Sequence, residues 1–169
     1  MDDKDSRLEM VHLLRAVTVE LDLFAAGFAQ EYALHSTDVR ALIHLVDADR
    51  TGVTATPGML GAHLGVNSAS TTALVDRLER KGLVRRDRDT RDRRRVLLVL
   101  EDKAVTMGWS YFGPLMGEMM TAMDAFDETE LATVRRFLLA MRDTTAAERL
   151  SSGGDTAGKP ARPAVPSED

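Results

Sequence analysis

Apolar residues recur at helical spacing over most of the chain, which predicts a mainly α protein with a small β component (α+β). Near the N-terminus they follow one another at 4, 3, 4, 3 and 4 residues, and this spacing predicts a long helix over residues 6–30 with a seam suited to packing along another helix. The same spacing over residues 102–124 predicts a second long helix, which Pro114 should kink or loosen. The first seam comprises Met10, Leu14, Val17, Leu21, Phe24 and Phe28; the second comprises Val105, Trp109, Phe112, Met116, Met119 and Met123.

Two short helices joined by a tight turn are predicted between these long ones. Thr56 is a good N-cap before Pro57, and Gly65 ends that helix after about two turns. The next helix begins at Asn67 or Ser68 and carries its apolar residues on one face. Two helices connected in this way form a helix-turn-helix.

Two apolar segments on either side of an arginine-rich stretch predict a two-stranded antiparallel ribbon. Leu83-Val84 precedes the stretch RRDRDTRDRRR, and VLLVL at residues 96–100 follows it. A helix-turn-helix followed by such a ribbon is a winged helix. The pattern therefore predicts a winged helix-turn-helix over residues 37–100, with the wing at residues 83–100.

Weaker signals mark the other elements. Residues 52–54 suit a very short strand, and Asp127 with Glu130 predicts the N-terminal cap of a last helix ending near residue 149. The segment 150–169 is rich in Gly, Pro and Ser and is expected to be disordered. A helix at residues 37–47 is predicted to carry Val39, Leu42, Ile43 and Val46 on one face.

Charge separates one basic segment from an acidic remainder. The chain carries a net charge of -5, but residues 77–95 hold ten Lys/Arg and four Asp/Glu, a local balance of +6. Of the 22 basic and 27 acidic residues, 12 and 23 are left for the rest of the chain, a balance of -11. A phosphate-binding surface needs a local positive field and not a basic whole chain. We therefore expect a single DNA-facing surface, at the ribbon and the helix before it.

Composition argues against several other classes. The chain has no cysteine, which excludes disulfides, thiolate metal sites and cysteine nucleophiles. No apolar run approaches about 18 residues, so no membrane span is predicted and a cytoplasmic location is expected. No phosphate loop, nucleophile elbow or catalytic carboxylate pair stands out, and neither an enzyme nor a cofactor is predicted. No two of the four histidines lie three or four residues apart, so no helical metal pair is predicted.

The segment LGAHLGVNSASTTALVDRLERKGLVRRDRDTRDRRRVLLVL, residues 60–100, resembles the recognition helix and wing of the MarR family of transcriptional regulators. The helices before and after it fall in the family's order, so the resemblance covers residues 6–149. It implies a single domain over residues 1–149. Dimerisation is expected through the helices at residues 6–30 and 102–149, whose apolar seams would also suit the core of a monomer.

The resemblance implies a sequence-specific regulator that binds double-stranded DNA. A homodimer would present two winged helices to a palindromic operator with half-sites about one helical turn apart. The family's usual mode implies a repressor that a small aromatic or phenolic effector releases. Four positions depart from the family's pattern: Gly61, Ala73, and Glu101 and Ala104, where the family often has Thr and Gly. Ala73 stands where relatives often carry an arginine facing DNA, and Gly61 replaces a usual alanine and should weaken its helix by about 1 kcal/mol.

The candidate DNA contacts lie on the second short helix and on the hairpin. Short polar side chains at the start of the helix are candidates for base edges, and Arg77 is assigned to a phosphate. Arg91 and Arg93 at the hairpin tip suit the narrow minor groove, and Arg94 is expected to tie the loop internally to Asp89 or Asp92. The other ribbon arginines contact the DNA backbone or are only solvated. The predicted DNA-binding residues are Asn67, Ser68, Ser70, Thr72, Arg77, Arg91, Arg93 and Arg94; Asn67, Ser68 and Ser70 suit a capping role equally well.

An effector pocket between the dimer helices and the DNA-binding lobe is also implied by the resemblance. Its candidate residues are Tyr32, His35, Arg40, Trp109 and Met116, although aromatic and methionine side chains at such spacing more often belong to an ordinary core.

An alternative function is a winged-helix adaptor that binds another protein without reading DNA. The short side chain at Ala73 favours it. A salt titration distinguishes the two functions, because DNA binding weakens steeply as the salt concentration rises, whereas binding through an apolar protein interface does not.

Overall fold

The computed structural model of the chain describes residues 3–90 and 92–154. In chain order the elements are α1 (Asp3–Glu31), α2 (Ser36–Arg50), α3 (Pro57–Leu64), α4 (Ser68–Arg80), β1 (Val84–Arg88), β2 (Val96–Leu100), α5 (Asp102–Met123) and α6 (Glu128–Gly154). This order is a winged helix-turn-helix between long helices, so the predicted mainly α fold is confirmed. The last helix runs beyond its predicted end near residue 149, and the rest of the segment expected to be disordered lies outside the described residues.

The chain divides into two compact units, and the boundary falls between Leu115 and Met116, inside α5. The first unit contains α1 to α4, both strands and the first part of α5. The second contains the end of α5 and all of α6. Helix α5 continues through Pro114 without a break.

The core of the first unit lies between α2, α3, α4 and the two strands. Its largest fully buried apolar side chains are Leu60, Val75, Leu78, Leu83 and Val84, each no more than 2% exposed. Helix α2 contributes Ala41, Leu42, Leu45 and Ala48. Ile43 and Val46, which were predicted to share one apolar face with the buried Val39 and Leu42, are instead 47% and 46% exposed. That prediction was wrong because small alanines, and not only large apolar residues, complete the buried face of α2.

The turn between α3 and α4 forms as its capping residues predict. The hydroxyl oxygen of Thr56 accepts a hydrogen bond from the Met59 N–H at 3.3 Å, and Gly65 ends α3 with φ of 67°. The side-chain oxygen of Asn67 accepts from the Ser70 N–H at 2.9 Å and so begins α4. A positive φ strains residues with a Cβ, which explains the glycine at position 65.

Gly61 lies where α3 and α4 approach each other closely. A Cβ at this position would lie 2.5 Å from the Thr71 hydroxyl oxygen and 3.3 Å from the Val66 carbonyl oxygen. Thr71 is itself buried, and its hydroxyl donates to the Asn67 carbonyl, so it has little room to move. The close approach of the two helices requires glycine at position 61, although glycine has a lower helix propensity than alanine and so weakens α3.

The two strands form an antiparallel ribbon in which Val84 lies opposite Leu100 and Arg88 opposite Val96. Strand β1 therefore continues into the arginine-rich stretch and does not end at Val84 as predicted. On the outer side of β2, the Leu98 N–H donates to the Ala55 carbonyl at 2.9 Å. The strand predicted at residues 52–54 does not form; this single bond, just after it, anchors the loop before α3 to the ribbon.

In the second unit, α6 begins with a reciprocal capping box. The Glu130 N–H donates to the Asp127 carboxylate at 2.8 Å, and the Asp127 N–H donates to the Glu130 carboxylate at 2.9 Å. The predicted cap is confirmed. Each side chain satisfies a backbone N–H that the first turn of a helix leaves without a partner.

Candidate nucleic-acid interface

Helix α4 turns one face into the core and leaves the other exposed. The buried face carries Thr71, Leu74, Val75 and Leu78. All the short polar residues predicted to meet DNA, namely Asn67, Ser68, Ser70 and Thr72, are exposed. Two of them are already hydrogen-bonded within the helix. Asn67 caps the Ser70 N–H, and the Thr72 hydroxyl donates to the Ser68 carbonyl at 2.9 Å.

A buried ion pair holds α4 against the start of α2. The Arg77 Nε lies 3.0 and 2.9 Å from the two carboxylate oxygens of Asp38, and its Nη2 lies 2.5 Å from Oδ1. Asp38 is completely buried, and it also accepts from the His35 N–H at 3.0 Å. Hydrogen bonding to Asp38 raises the pKa of the Arg77 guanidinium above its usual value, against the opposing effect of burial. The pair fixes the position of α4 relative to α2.

Arg77 therefore has an internal partner that its sequence context did not indicate. Asp38 lies 39 residues earlier in the chain, and no local spacing connects the two. The Arg77 side chain remains 27% exposed. Its contact with a DNA phosphate stays a prediction, and such a contact would have to be made by the exposed part of a guanidinium that Asp38 already orients.

A second arginine, Arg86 of β1, clamps the ribbon to α4. Its Nη2 lies 2.6 Å from the Asp76 carboxylate, its Nη1 pairs with the Glu79 carboxylate, and its backbone N–H donates to Glu79 at 3.2 Å. Partial burial alone would lower the pKa of Arg86, but the hydrogen bonds and charges of the two carboxylates raise it above the usual value. The clamp neutralises both acidic groups on α4 and fixes the angle between helix and ribbon.

The hairpin between the strands is tied by its own acidic residues. The Asp89 N–H donates to the Arg95 carbonyl at 3.1 Å, and the side chains of the same two residues form an ion pair at 3.4 Å. The Asp92 side chain accepts from the Arg94 N–H at 3.0 Å. The internal tie predicted for the Arg94 side chain is thus made by the side chain of Arg95, and Arg94 contributes its backbone.

The hairpin leaves arginine side chains directed to solvent. Arg93 and Arg94 are exposed, and within the described residues neither forms an ion pair. Arg91, which together with Arg93 was predicted for the minor groove, lies outside the described residues. On β1 the Arg88 N–H donates to the carboxylate of its neighbour Asp87 at 2.8 Å.

The residues predicted for an effector pocket do not share one environment. Tyr32 belongs to a cluster of aromatic rings with Phe24, Phe28, Tyr111 and Phe112. Burial, and then the neighbouring Glu31 carboxylate, raises the pKa of the Tyr32 hydroxyl. Trp109 is 65% exposed and Arg40 is exposed. His35 is the N-cap residue of α2, and Met116 belongs to the second unit.

Two histidines that are distant in sequence meet between α2 and α3. The rings of His44 and His63 stack with centroids 3.9 Å apart and an angle of 21° between their planes.

Among residues 3–90 and 92–154 there is no group of three or more metal-ligating side chains. In the same part of the chain, no helix is long and apolar enough to span a membrane.

Comparison with known proteins places this arrangement in one family. A family model described as MarR family matches residues 37–96. The regulator YcgE of Bacillus subtilis strain 168, described as an uncharacterized HTH-type transcriptional regulator, is 34% identical over 142 residues. That match covers 82% of this chain and 90% of YcgE.

Solved structures share the fold at lower identity. A MarR family protein from Bacillus stearothermophilus matches with a TM-score of 0.62 at 23% identity, covering 86% of this chain and 99% of its own. A MepR mutant from a multidrug resistant S. aureus clinical isolate matches with a TM-score of 0.67 at 18% identity, covering 80% and 96%. Another S. aureus MepR mutant, with a TM-score of 0.53 at 19% identity and coverage of 80% and 97%, is bound to an oligodeoxyribonucleotide. These likenesses show the fold.

Proposed function

Because the chain belongs to the MarR family of transcriptional regulators, we propose that it binds a palindromic operator as a homodimer and represses transcription until a small aromatic or phenolic effector releases it. The observation that carries the proposal is an exposed helix of groove width, α4, with an arginine-rich ribbon clamped beside it. The proposed regulator acts in the cytoplasm, needs no cofactor and catalyses no reaction.

In the proposed complex α4 lies in the major groove and the hairpin reaches the adjacent minor groove. The first turn of α4 presents Asn67, Ser68 and Ser70, and the partial positive charge of a helix N-terminus favours nearby phosphates. Arg93 and Arg94 extend from the hairpin, where the negative potential of a narrow minor groove attracts arginine. Arg91 is proposed for the same groove, and Arg77 for a phosphate.

An electrophoretic mobility-shift titration at fixed salt tests the minor-groove contact. Arg93→Ala should weaken binding by about 1–3 kcal/mol, and Arg135→Ala on α6 is a matched control that removes an exposed arginine from the other unit. Equal affinities for both variants and the unaltered protein would contradict the assignment.

The proposed homodimer rests on apolar side chains that the isolated chain leaves in water. On α1 six large apolar residues are each at least 50% exposed: Leu8, Val11, Leu13, Val17, Val19 and Leu23. Exposed apolar surface of this extent is typical of an interface, and two-fold association would place two α4 helices on one duplex. Light scattering at micromolar concentration should give the mass of a dimer, and a monomeric mass would overturn the proposal.

The proposed effector site lies near the aromatic cluster of the first unit. Phe28 is buried in this cluster, but Tyr32, with its ring centroid 4.8 Å from that of Phe28, is only half-buried and offers part of its ring to an aromatic ligand. A panel of phenolic acids tests the idea through two readings: a raised unfolding temperature and release of a bound duplex. A ligand that gives the first effect without the second is no effector.

The acidic groups of α4 bear on the adaptor hypothesis, which the short side chain of Ala73 also favours. Asp76 and Glu79 place two carboxylates on α4, where they would repel DNA if Arg86 did not neutralise them. A salt titration separates the two functions, because each phosphate contact releases counterions and gives DNA binding a steep salt dependence. Binding to a protein partner that persists at high salt, with no duplex bound at low salt, would favour the adaptor.

A further inference from the structure

The centre of the exposed face of α4 is formed by small side chains. The buried residues of this helix, Thr71, Leu74, Val75 and Leu78, define the face that packs on the core. On the opposite face Ala69, Thr72, Ala73 and Asp76 follow at the spacing i, i+3, i+4 and i+7, and all four are exposed. Residues at this spacing lie side by side on a helix and form one continuous surface.

The polar groups of this surface already have partners within the chain. The Thr72 hydroxyl donates its proton to the Ser68 carbonyl at 2.9 Å. The Asp76 carboxylate is held by Arg86 at 2.6 Å. What remains for a ligand is a patch of three methyl groups, on Ala69, Thr72 and Ala73, which we call the methyl patch.

We propose that the methyl patch recognises the C5-methyl groups of thymine, so that α4 selects half-sites with thymines at the positions facing Ala69 and Ala73. The inference rests on the DNA binding proposed above. In the major groove every base presents hydrogen-bonding groups, but thymine alone also presents a methyl group. Alanine and the threonine methyl are the side-chain groups that suit it, because contact between methyl groups excludes water from both.

The dimensions of the helix set how many bases the patch covers. Ala69 and Ala73 are one turn apart, a rise of about 6 Å along the helix axis. Bases on one DNA strand follow one another at about 3.4 Å. The patch therefore spans about two base steps, and we expect two thymines per half-site, adjacent or separated by one base.

Replacement of thymine by deoxyuridine is the test, because it removes the methyl group and leaves every hydrogen-bonding group of the base pair unchanged. Duplexes would first be selected from a random library by the full-length protein at low salt. Each thymine of the selected half-site would then be replaced in turn, and affinity measured at fixed salt. We expect a roughly fourfold loss at each of two positions, the value for one buried methyl group, and no loss at the others.

Matched variants link the effect to the helix. Ala73→Ser and Ala69→Ser should each abolish the preference for thymine over deoxyuridine at one of the two positions. Ala132→Ser, the same change at an exposed position of α6, should leave both preferences intact. Helical circular dichroism of the three variants checks that the fold is kept.

The possible outcomes distinguish thymine recognition from the proposed DNA binding on which it rests. If the protein binds every deoxyuridine-substituted duplex as tightly as the selected duplex, thymine recognition is overturned and DNA binding stands. The same conclusion follows if the preference survives both α4 variants. Failure to select any duplex would overturn DNA binding and thymine recognition together.

Discussion

Replacing Arg77 with methionine should strongly destabilise the protein, because it removes the partner of a completely buried charge. The Asp38 carboxylate accepts three hydrogen bonds from Arg77 and one from the His35 N–H. Methionine fills a similar volume without donating to Asp38. The carboxylate would keep only the His35 N–H among the donors that the structure describes.

The size of the loss follows from the burial of the pair. Breaking a buried ion pair by removing one partner costs about 3–5 kcal/mol. Because the Arg77 side chain remains 27% exposed, water reaches one side of the pair, and we place the loss at the lower end, about 3 kcal/mol. For a chain of this length that lowers the unfolding temperature by about 6–12 °C.

Urea denaturation monitored by circular dichroism measures the free energy of unfolding directly. The protein concentration must be held constant, since the stability of the proposed homodimer would depend on it. Arg85→Met is the matched control, because Arg85 is exposed and its two ion pairs, to Asp87 and Glu101, are long, at 3.7 and 3.8 Å. That variant should change the free energy of unfolding by no more than about 0.5 kcal/mol.

A double variant distinguishes the loss of a charge partner from the loss of packing. Asp38→Asn removes the buried charge and keeps an oxygen for the His35 N–H. Asp38→Asn combined with Arg77→Met should therefore be more stable than Arg77→Met alone, by about 1 kcal/mol or more. The reasoning is refuted if Arg77→Met costs no more than Arg85→Met, or if the double variant is no more stable than the single one.

Three further predictions follow from the same structure. Gly61→Ala should cost about 1–3 kcal/mol, because its Cβ would lie 2.5 Å from the Thr71 hydroxyl oxygen; Gly58→Ala, with nothing within 4 Å of its Cβ, should be neutral or stabilising in the same thermal unfolding assay. Asp127→Ala should lower the free energy of unfolding by about 1 kcal/mol through loss of the α6 cap, and an unchanged urea midpoint would count against that role. Arg86→Gln should expose two unpaired carboxylates on α4 and weaken DNA binding at least as much as Arg93→Ala; affinity equal to that of the unaltered protein would show that the clamp has no part in binding.

Local signals explain what the sequence predicts well. Thr56, Gly65 and Asn67 act on backbone groups within a few residues of themselves. The helix caps and the turn that they form can therefore be predicted from the sequence alone. The long helices follow from apolar spacing in the same way. The buried face of α2 was predicted wrongly because burial depends on which elements pack against the helix. Alanines such as Ala41 and Ala48 are buried there, and an alanine in the sequence gives little indication of burial.

The interface contains contacts that no local pattern reveals. Arg77 and Asp38 are 39 residues apart, and Arg86 reaches Asp76 and Glu79 of a different element. Both arginines lie in the basic segment 77–95, where no local pattern reveals an internal partner. Only the fold shows which of them neutralise the protein's own carboxylates and which, like Arg93, remain directed outward. The same reasoning identifies Ala69 and Ala73, because their role depends on the polar residues around them being engaged.

The outer edges of the ribbon have a consequence for association between molecules. A two-stranded ribbon normally offers unpaired amides on both sides, and such edges invite strands of other chains to add to them. Here the outward amides of Arg86 and Arg88 on one side, and of Leu98 on the other, are occupied by Glu79, Asp87 and Ala55. At these three positions the wing offers no free amide to a strand of another chain, which lowers its tendency to aggregate edge to edge.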